Sequence, residues 1–204
     1  VGSGLVNGPI GPGAVHLCLD MQRLFAPGGP WPAPWAARVL PAVVALADHD
    51  PERSVFTRFV PPHTPDTVGG AWRSYYEKWR QVTREQLDDG LLALVPELSR
   101  FVPPAHVVDK GRYSAFSSPT LPSLFAALRA DTLILSGAET DVCVLATLFD
   151  AVDCGFRTVL ARDAVCSSAD AGHDAVLAML DTRLSVQVEV ADTAEILAAW
   201  TAPA

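Results

Sequence analysis

The chain is poor in cysteine, and the four it has, Cys18, Cys143, Cys154 and Cys166, form no CxxC pair. Neither a zinc site nor a disulfide scaffold is indicated. Basic charge is also scarce: 15 Lys and Arg stand against 23 Asp and Glu, for a net charge of −8. Nucleic acid and anionic membrane surfaces both require clustered cations, so neither is expected as a partner and a small molecule is. Long apolar runs are missing too, since the longest, Val39 to Ala47, is too short to span a bilayer. The stretch from Val1 to Gly13 is rich in Gly and Pro and has neither the basic region nor the apolar core of a signal peptide. It is expected to be a flexible lead-in to a cytoplasmic protein. There is no internal repeat and no interdomain linker, so one domain over residues 1–204 is expected.

What the chain does have is a regular alternation. Strand-like runs at Val15–Leu19, Ser54–Phe59, His106–Asp109, Thr132–Ser136, Thr158–Ala161 and Ser185–Val190 are separated by helical patterns. Those patterns are Trp35–Ala47, Leu121–Leu128, Val142–Cys154, His173–Leu180 and Thr193–Trp200. This is the rhythm of a parallel sheet covered on both faces, with a longer insertion between the second and third strands. Two Pro/Gly-rich loops, residues 26–34 and 60–70, follow strands and are expected to rim a pocket.

In open α/β sheets, ligands bind beyond the carboxyl ends of the strands. The first strand ends at Asp20, the third runs into Lys110, and the fourth feeds the turn Gly137-Ala138-Glu139-Thr140-Asp141-Val142-Cys143. There a thiol meets a helix start, where backbone N–H groups and the helix dipole favour the thiolate. A carboxylate beside a thiol can accept its proton and return it to a leaving amine, a role that suits Asp20. Lys110 would keep both charged by attraction. Backbone N–H groups of the turn are candidates for an oxyanion hole. Cys18, Cys154 and Cys166 sit where cysteine behaves as a small buried apolar residue.

These residues carry a resemblance. The runs Leu17-Cys18-Leu19-Asp20-Met21-Gln22, Asp109-Lys110-Gly111-Arg112-Tyr113-Ser114-Ala115-Phe116 and Gly137 to Val144 resemble the isochorismatase-like cysteine hydrolases, and the likeness continues through Asp163-Ala164 and His173. It implies a three-layer α/β/α sandwich with a mainly parallel six-stranded sheet. It also implies a catalytic triad of Cys143, Asp20 and Lys110, and a cis peptide between Ala138 and Glu139. That peptide would aim the N–H of Glu139, together with that of Cys143, at the oxyanion. The metal-binding nicotinamidase branch has an aspartate and histidines just after the second strand, whereas this chain reads Phe56-Thr57-Arg58-Phe59-Val60-Pro61-Pro62-His63. One histidine does not make a site, so no metal and no cofactor are expected. The other histidines, His16, His49, His106 and His173, are assigned no chemistry.

The complete hydrolase motif around Cys143 favours cleavage of an amide or ureide-type C–N bond. The segment from Lys110 to Phe116 also resembles that of vinyl-ether-cleaving isochorismatases, which is the alternative; a non-catalytic binding protein is a second one. Trp72, Tyr75, Tyr76 and Trp79 form one aromatic stripe if Ala71–Val82 is helical. The stripe reads either as packing or a subunit contact, or as a pocket wall in which Trp72 reaches substrate. Phe25, Trp31, Tyr113 and Phe116 are further substrate-contact candidates. Arg58, ending the second strand, is either a binder of a substrate carboxylate or a surface ion pair. The aromatic stripe and the resemblance together point to a homo-oligomer, a dimer or larger.

Overall fold

The structure, a computed structural model, describes residues 4–201. Six strands form one sheet: β1 (Ala14–Leu19), β2 (Ser54–Phe59), β3 (His106–Lys110), β4 (Thr132–Ala138), β5 (Arg157–Cys166) and β6 (Val188–Ala191). Their order is β3-β2-β1-β4-β5-β6, and every pairing is parallel. Seven helices accompany them: α1 (Ala36–His49), α2 (Ala71–Lys78), α3 (Pro96–Ser99), α4 (Leu121–Ala127), α5 (Leu145–Asp153), α6 (Asp170–Arg183) and α7 (Thr193–Ala199).

The three layers follow from the alternation along each strand, whose successive side chains point to opposite faces. In β1, Ala14 and Cys18 join the core beneath α1, α3 and α7, where Val43, Leu46, Leu98 and Ile196 are fully buried. Val15, Leu17 and Leu19 join the other core, against Phe125 of α4, Leu148 of α5 and Leu180 of α6. A third cluster lies in the insertion between β2 and β3. It packs Leu24, Phe25, Phe59, Tyr76 and Val82 with Trp31, Trp72, Tyr75 and Trp79.

The chain reverses its winding between β1 and β4, which are adjacent although far apart in sequence, with Leu19 opposite Gly137. Such a switch point opens a crevice at the carboxyl ends of the strands. Gly137 has φ +100, and a Cβ there would lie 2.1 Å from the Leu19 carbonyl oxygen. Only glycine lets the two strand ends come this close.

Several boundaries differ from the sequence expectation. Strand β5 runs on to Cys166, and β6 starts at Val188, because a turn occupies residues 185–187. The helix expected from Val142 is preceded by a wide π turn over Thr140–Val144. The stripe helix stops at Lys78, followed by a separate 3₁₀ turn at Arg80–Val82. The segment expected to be a flexible lead-in is strapped down over its described part. Gly4 N–H donates to the Val190 carbonyl, Arg157 donates to the carbonyls of Gly8 and Pro9, and buried Ile10 pairs with Trp200. Residues 1–3 lie outside the described residues. Among those described, no helix is long and apolar enough to cross a membrane.

Candidate active site

At the switch point the chain brings together the three groups that the sequence placed at strand ends. Asp20 follows β1 with φ +52, and Thr57 of β2 holds it at two points. Its N–H donates to Thr57 Oγ1 (3.1 Å), the same hydroxyl donates to Asp20 Oδ1 (2.6 Å), and the Asp20 carbonyl accepts from Gln22 N–H (2.8 Å). The other carboxylate oxygen, Oδ2, is paired with Lys110 Nζ at 2.7 Å, and both side chains are completely buried. Asp20 and Lys110 do not end neighbouring strands, since β2 lies between β1 and β3. The four-carbon stem of Lys110 spans that gap and carries its ammonium 5.1 Å over the ring of Phe59. From there Nζ donates to the Arg112 carbonyl (3.0 Å) and to Cys143 Sγ (3.4 Å).

Cys143 sits in the π turn rather than on the first turn of an α-helix, and only 7% of it is exposed. The thiolate expected from the helix start is therefore not the resting form. Burial pushes the thiol well above its ordinary range, the Asp20 charge that it hydrogen-bonds adds to this, and Lys110 pulls only partly the other way. For Lys110, burial works against the charged form, but the charges of Asp20 and Cys143 outweigh it and hold the ammonium above its usual value.

The turn itself is held from several sides. The Ala138–Glu139 peptide is cis. Thr147 Oγ1 donates to the Cys143 carbonyl (2.7 Å) and accepts from Ala115 N–H (3.0 Å). Ser167 Oγ donates to Asp141, and Gly172 lies so close to that carboxylate that no Cβ would fit. The Thr140 hydroxyl is 2.9 Å from His173 Nδ1, so buried His173, to which the sequence assigned no chemistry, supports the turn that carries Cys143.

A cavity of about 420 Å³ opens onto Cys143. It is lined by Phe25, Pro30, Trp31, Pro32, Phe59, Tyr75, Trp79 and Tyr113, with Glu139, Val142 and Ser168 near the thiol. Three of the substrate-contact candidates, Phe25, Trp31 and Tyr113, are on this wall. The other three are not. Trp72 packs behind it, 4.8 Å from the ring of Tyr113 and against Tyr75 and Tyr76. Phe116 belongs to the core on the far side of the sheet, against Phe125 and Phe156. Arg58 forms a two-pronged pair with Asp109 of the adjacent strand, at 2.7 and 2.8 Å. The proline-rich loop 26–34 rims the cavity as expected, whereas no residue of the loop 60–70 lines it.

Sequence reasoning missed Thr57, Phe59, Tyr75, Trp79, Glu139 as a side chain, and Ser168. Tyr75 and Trp79 lie on the aromatic stripe, so the signal was present but assigned to the wrong member. Thr57 stands in β2 between Phe56 and Arg58, with nothing in its spacing to mark it. Among the cysteines taken as buried, Cys18 and Cys166 are buried, but Cys154, at the end of α5, is exposed. Arg58, within β2, pairs with Asp109 of β3, and His63, beyond the strand, is exposed. Among the described residues, no three His, Cys, Asp or Glu side chains are grouped so as to hold a metal ion.

A thiol, a carboxylate and an ammonium buried together at an α/β switch point define the kind of site that cysteine hydrolases use. The model of the isochorismatase domain matches residues 14–195, and the chain belongs to the isochorismatase family of hydrolases. Maleamate amidohydrolase of Pseudomonas putida is 31% identical over 173 residues, which cover 82% of this chain and 78% of that protein. Among solved structures, a cysteine hydrolase from Pseudomonas syringae pv. phaseolicola superposes with a TM-score of 0.81 at 24% identity, covering 95% of each chain. The N-carbamoylsarcosine amidase of Thermoplasma acidophilum does so with a TM-score of 0.69 at 21% identity, covering 88% of this chain and 96% of that one.

Proposed function

We propose that this protein hydrolyses a C–N bond, of an amide or ureide type, in a small molecule through a covalent acyl-enzyme on Cys143. The observation that carries the reading is the buried Lys110 ammonium, 2.7 Å from the Asp20 carboxylate and 3.4 Å from Cys143 Sγ, with Cys143 on the wall of a largely apolar cavity. Asp20 accepts the thiol proton as Sγ attacks the substrate carbonyl carbon, so the high resting affinity of the thiol for its proton is overcome only during attack. Backbone N–H groups of Glu139 and Cys143 receive the negative charge that develops on the oxygen. Protonated Asp20 then gives its proton to the leaving nitrogen, the C–N bond breaks, and a thioester remains. Water attacks the thioester with Asp20 as base, which releases the acid and restores the thiol. Lys110 holds the Asp20 carboxylate in place through the buried 2.7 Å pair and stands beside the thiol during attack.

A panel of small amides, ureides and vinyl ethers tests this. Cys143→Ala and Asp20→Asn are each expected to lower C–N hydrolysis by about a thousandfold or more. Full activity in Cys143→Ala alongside loss in Asp20→Asn would move the assignment to cysteine-independent vinyl-ether hydrolysis. Activity is expected to survive prolonged chelation; loss restored by zinc, iron or manganese would refute a metal-free site. A homo-oligomer belongs to the same reading, although the Trp72–Trp79 stripe packs within the chain and gives it no support. Sedimentation at micromolar concentration is expected to show a species heavier than the 21.7 kDa chain.

A further inference from the structure

The cavity over Cys143 is an aromatic box with a single ionised group. On its wall Trp31 is the hub of the aromatic contacts, its ring 6.1 Å from Phe25, 6.2 Å from Phe59, 6.1 Å from Tyr75 and 5.9 Å from Trp79. No Arg, Lys or His is among the residues lining it. The cations nearby are engaged elsewhere. Lys110 is sealed against Asp20 with no exposed side chain, Arg58 is held by Asp109, Arg112 lies over Trp72, and Lys78 lies over Trp79 from outside the lining set. The phenols of Tyr75 and Tyr113 are driven further toward their neutral form by burial. The one formal charge on the wall is the carboxylate of Glu139, four residues before the nucleophile, whose Oε1 accepts a hydrogen bond from Ser168 N–H (3.1 Å).

A substrate carboxylate in this box would find no cationic side chain on the wall and would face Glu139, an arrangement that disfavours its binding. A nitrogen cation meets the opposite conditions. Aromatic faces attract it, a carboxylate stands among them, and a chain of net charge −8 draws it in. Given the C–N hydrolase reading, on which this inference rests, we propose that the substrate is a small amide whose non-reacting part carries a cationic nitrogen. That group is held by the Trp31, Tyr75 and Trp79 faces and by Glu139, and amides bearing a carboxylate in its place are rejected.

Three probes of similar size separate the possibilities: trimethylammonioacetamide, its neutral isostere 3,3-dimethylbutanamide, and the anionic malonamate. Their binding to the full chain carrying Cys143→Ala, followed by calorimetry, reads the box without requiring turnover. The cationic amide is expected to bind about tenfold tighter than the neutral isostere, the range of a desolvated cation–π contact, with malonamate weakest. Glu139→Gln keeps an acceptor for Ser168 and removes the charge, and it should narrow the gap between cation and anion. Malonamate binding as tightly as the cation, the neutral isostere matching it, or no binding by any of the three would overturn the proposal. Hydrolysis by the intact protein is scored separately. If the cation-first ranking holds and none of the three is cleaved, the C–N hydrolase reading fails while the charge preference of the box stands.

Discussion

Asp20 is held by one hydroxyl. Thr57 takes both its N–H and one carboxylate oxygen, leaving the other to Lys110, so under the proposed mechanism the direction in which Asp20 faces the thiol depends on that contact. Thr57→Val is expected to lower kcat about tenfold or more with little change in KM, because the group acts on the base and not on the substrate, and Thr57→Ser should restore most of the loss. A fall in KM affinity with unchanged kcat would place Thr57 in substrate binding instead. Arg58→Ala is the contrasting case. Its pair with Asp109 is half exposed and away from the cavity, so stability should change by less than about 1 kcal/mol and turnover not at all, as denaturant melts and steady-state rates would show. That Asp20, Lys110 and Cys143 converge was legible in the sequence because each ends or closely follows a strand, and strand ends meet at a switch point. Thr57 and the substrate wall were not, because a contact 37 residues apart and the choice among aromatic neighbours depend on the direction of side chains, which spacing alone does not give.

At the scale of elements, the legible part was the sheet. Fully buried parallel strands read as continuous apolar runs, and five of the six began within one residue of their expected positions. The π turn before α5 was hidden, because a one-residue widening leaves the apolar spacing of Val144, Leu148 and Ala151 intact. So was the extension of β5, whose later residues pair with Gly137 and Ala138 across a register shift. That pairing depends on Gly137. Gly137→Ala forces a side chain into the Leu19 carbonyl at positive φ, and is expected to cost about 1–3 kcal/mol or more in a denaturant melt while also lowering activity, since Asp20 and the cysteine turn both leave from this contact. Wild-type stability and rate in that variant would show that the close approach of β1 and β4 is not what sets the site.

For the whole molecule, the buried ionisable groups outside the ion pairs confine stability to a pH window. His16 lies wholly inside the sheet, 2.7 Å from Ser136 Oγ, and burial lowers its pKa from 6.5 to about 3. The stability it contributes is full above pH 6.5 and is lost as pH falls toward 3, because the unfolded chain binds the proton first. Burial acts in the other direction on the thiols, raising Cys18 and Cys166 from 9.0 to about 12. Their contribution is full below pH 9 and is lost as pH rises toward 12, because the unfolded chain releases its protons first. Melting temperature is therefore expected to be highest between these limits, and His16→Gln should flatten the acid side; a flat profile across both flanks would contradict the burial of these groups. The central claim is a covalent bond to one thiol, and intact mass after rapid acid quench during turnover of a cleaved amide reads it directly. The account predicts a population heavier by the acyl group, mapped to Cys143 rather than to exposed Cys154 and absent in Cys143→Ala. Turnover at full rate with no mass gain on Cys143, under conditions where thioester hydrolysis is slowed, would contradict it.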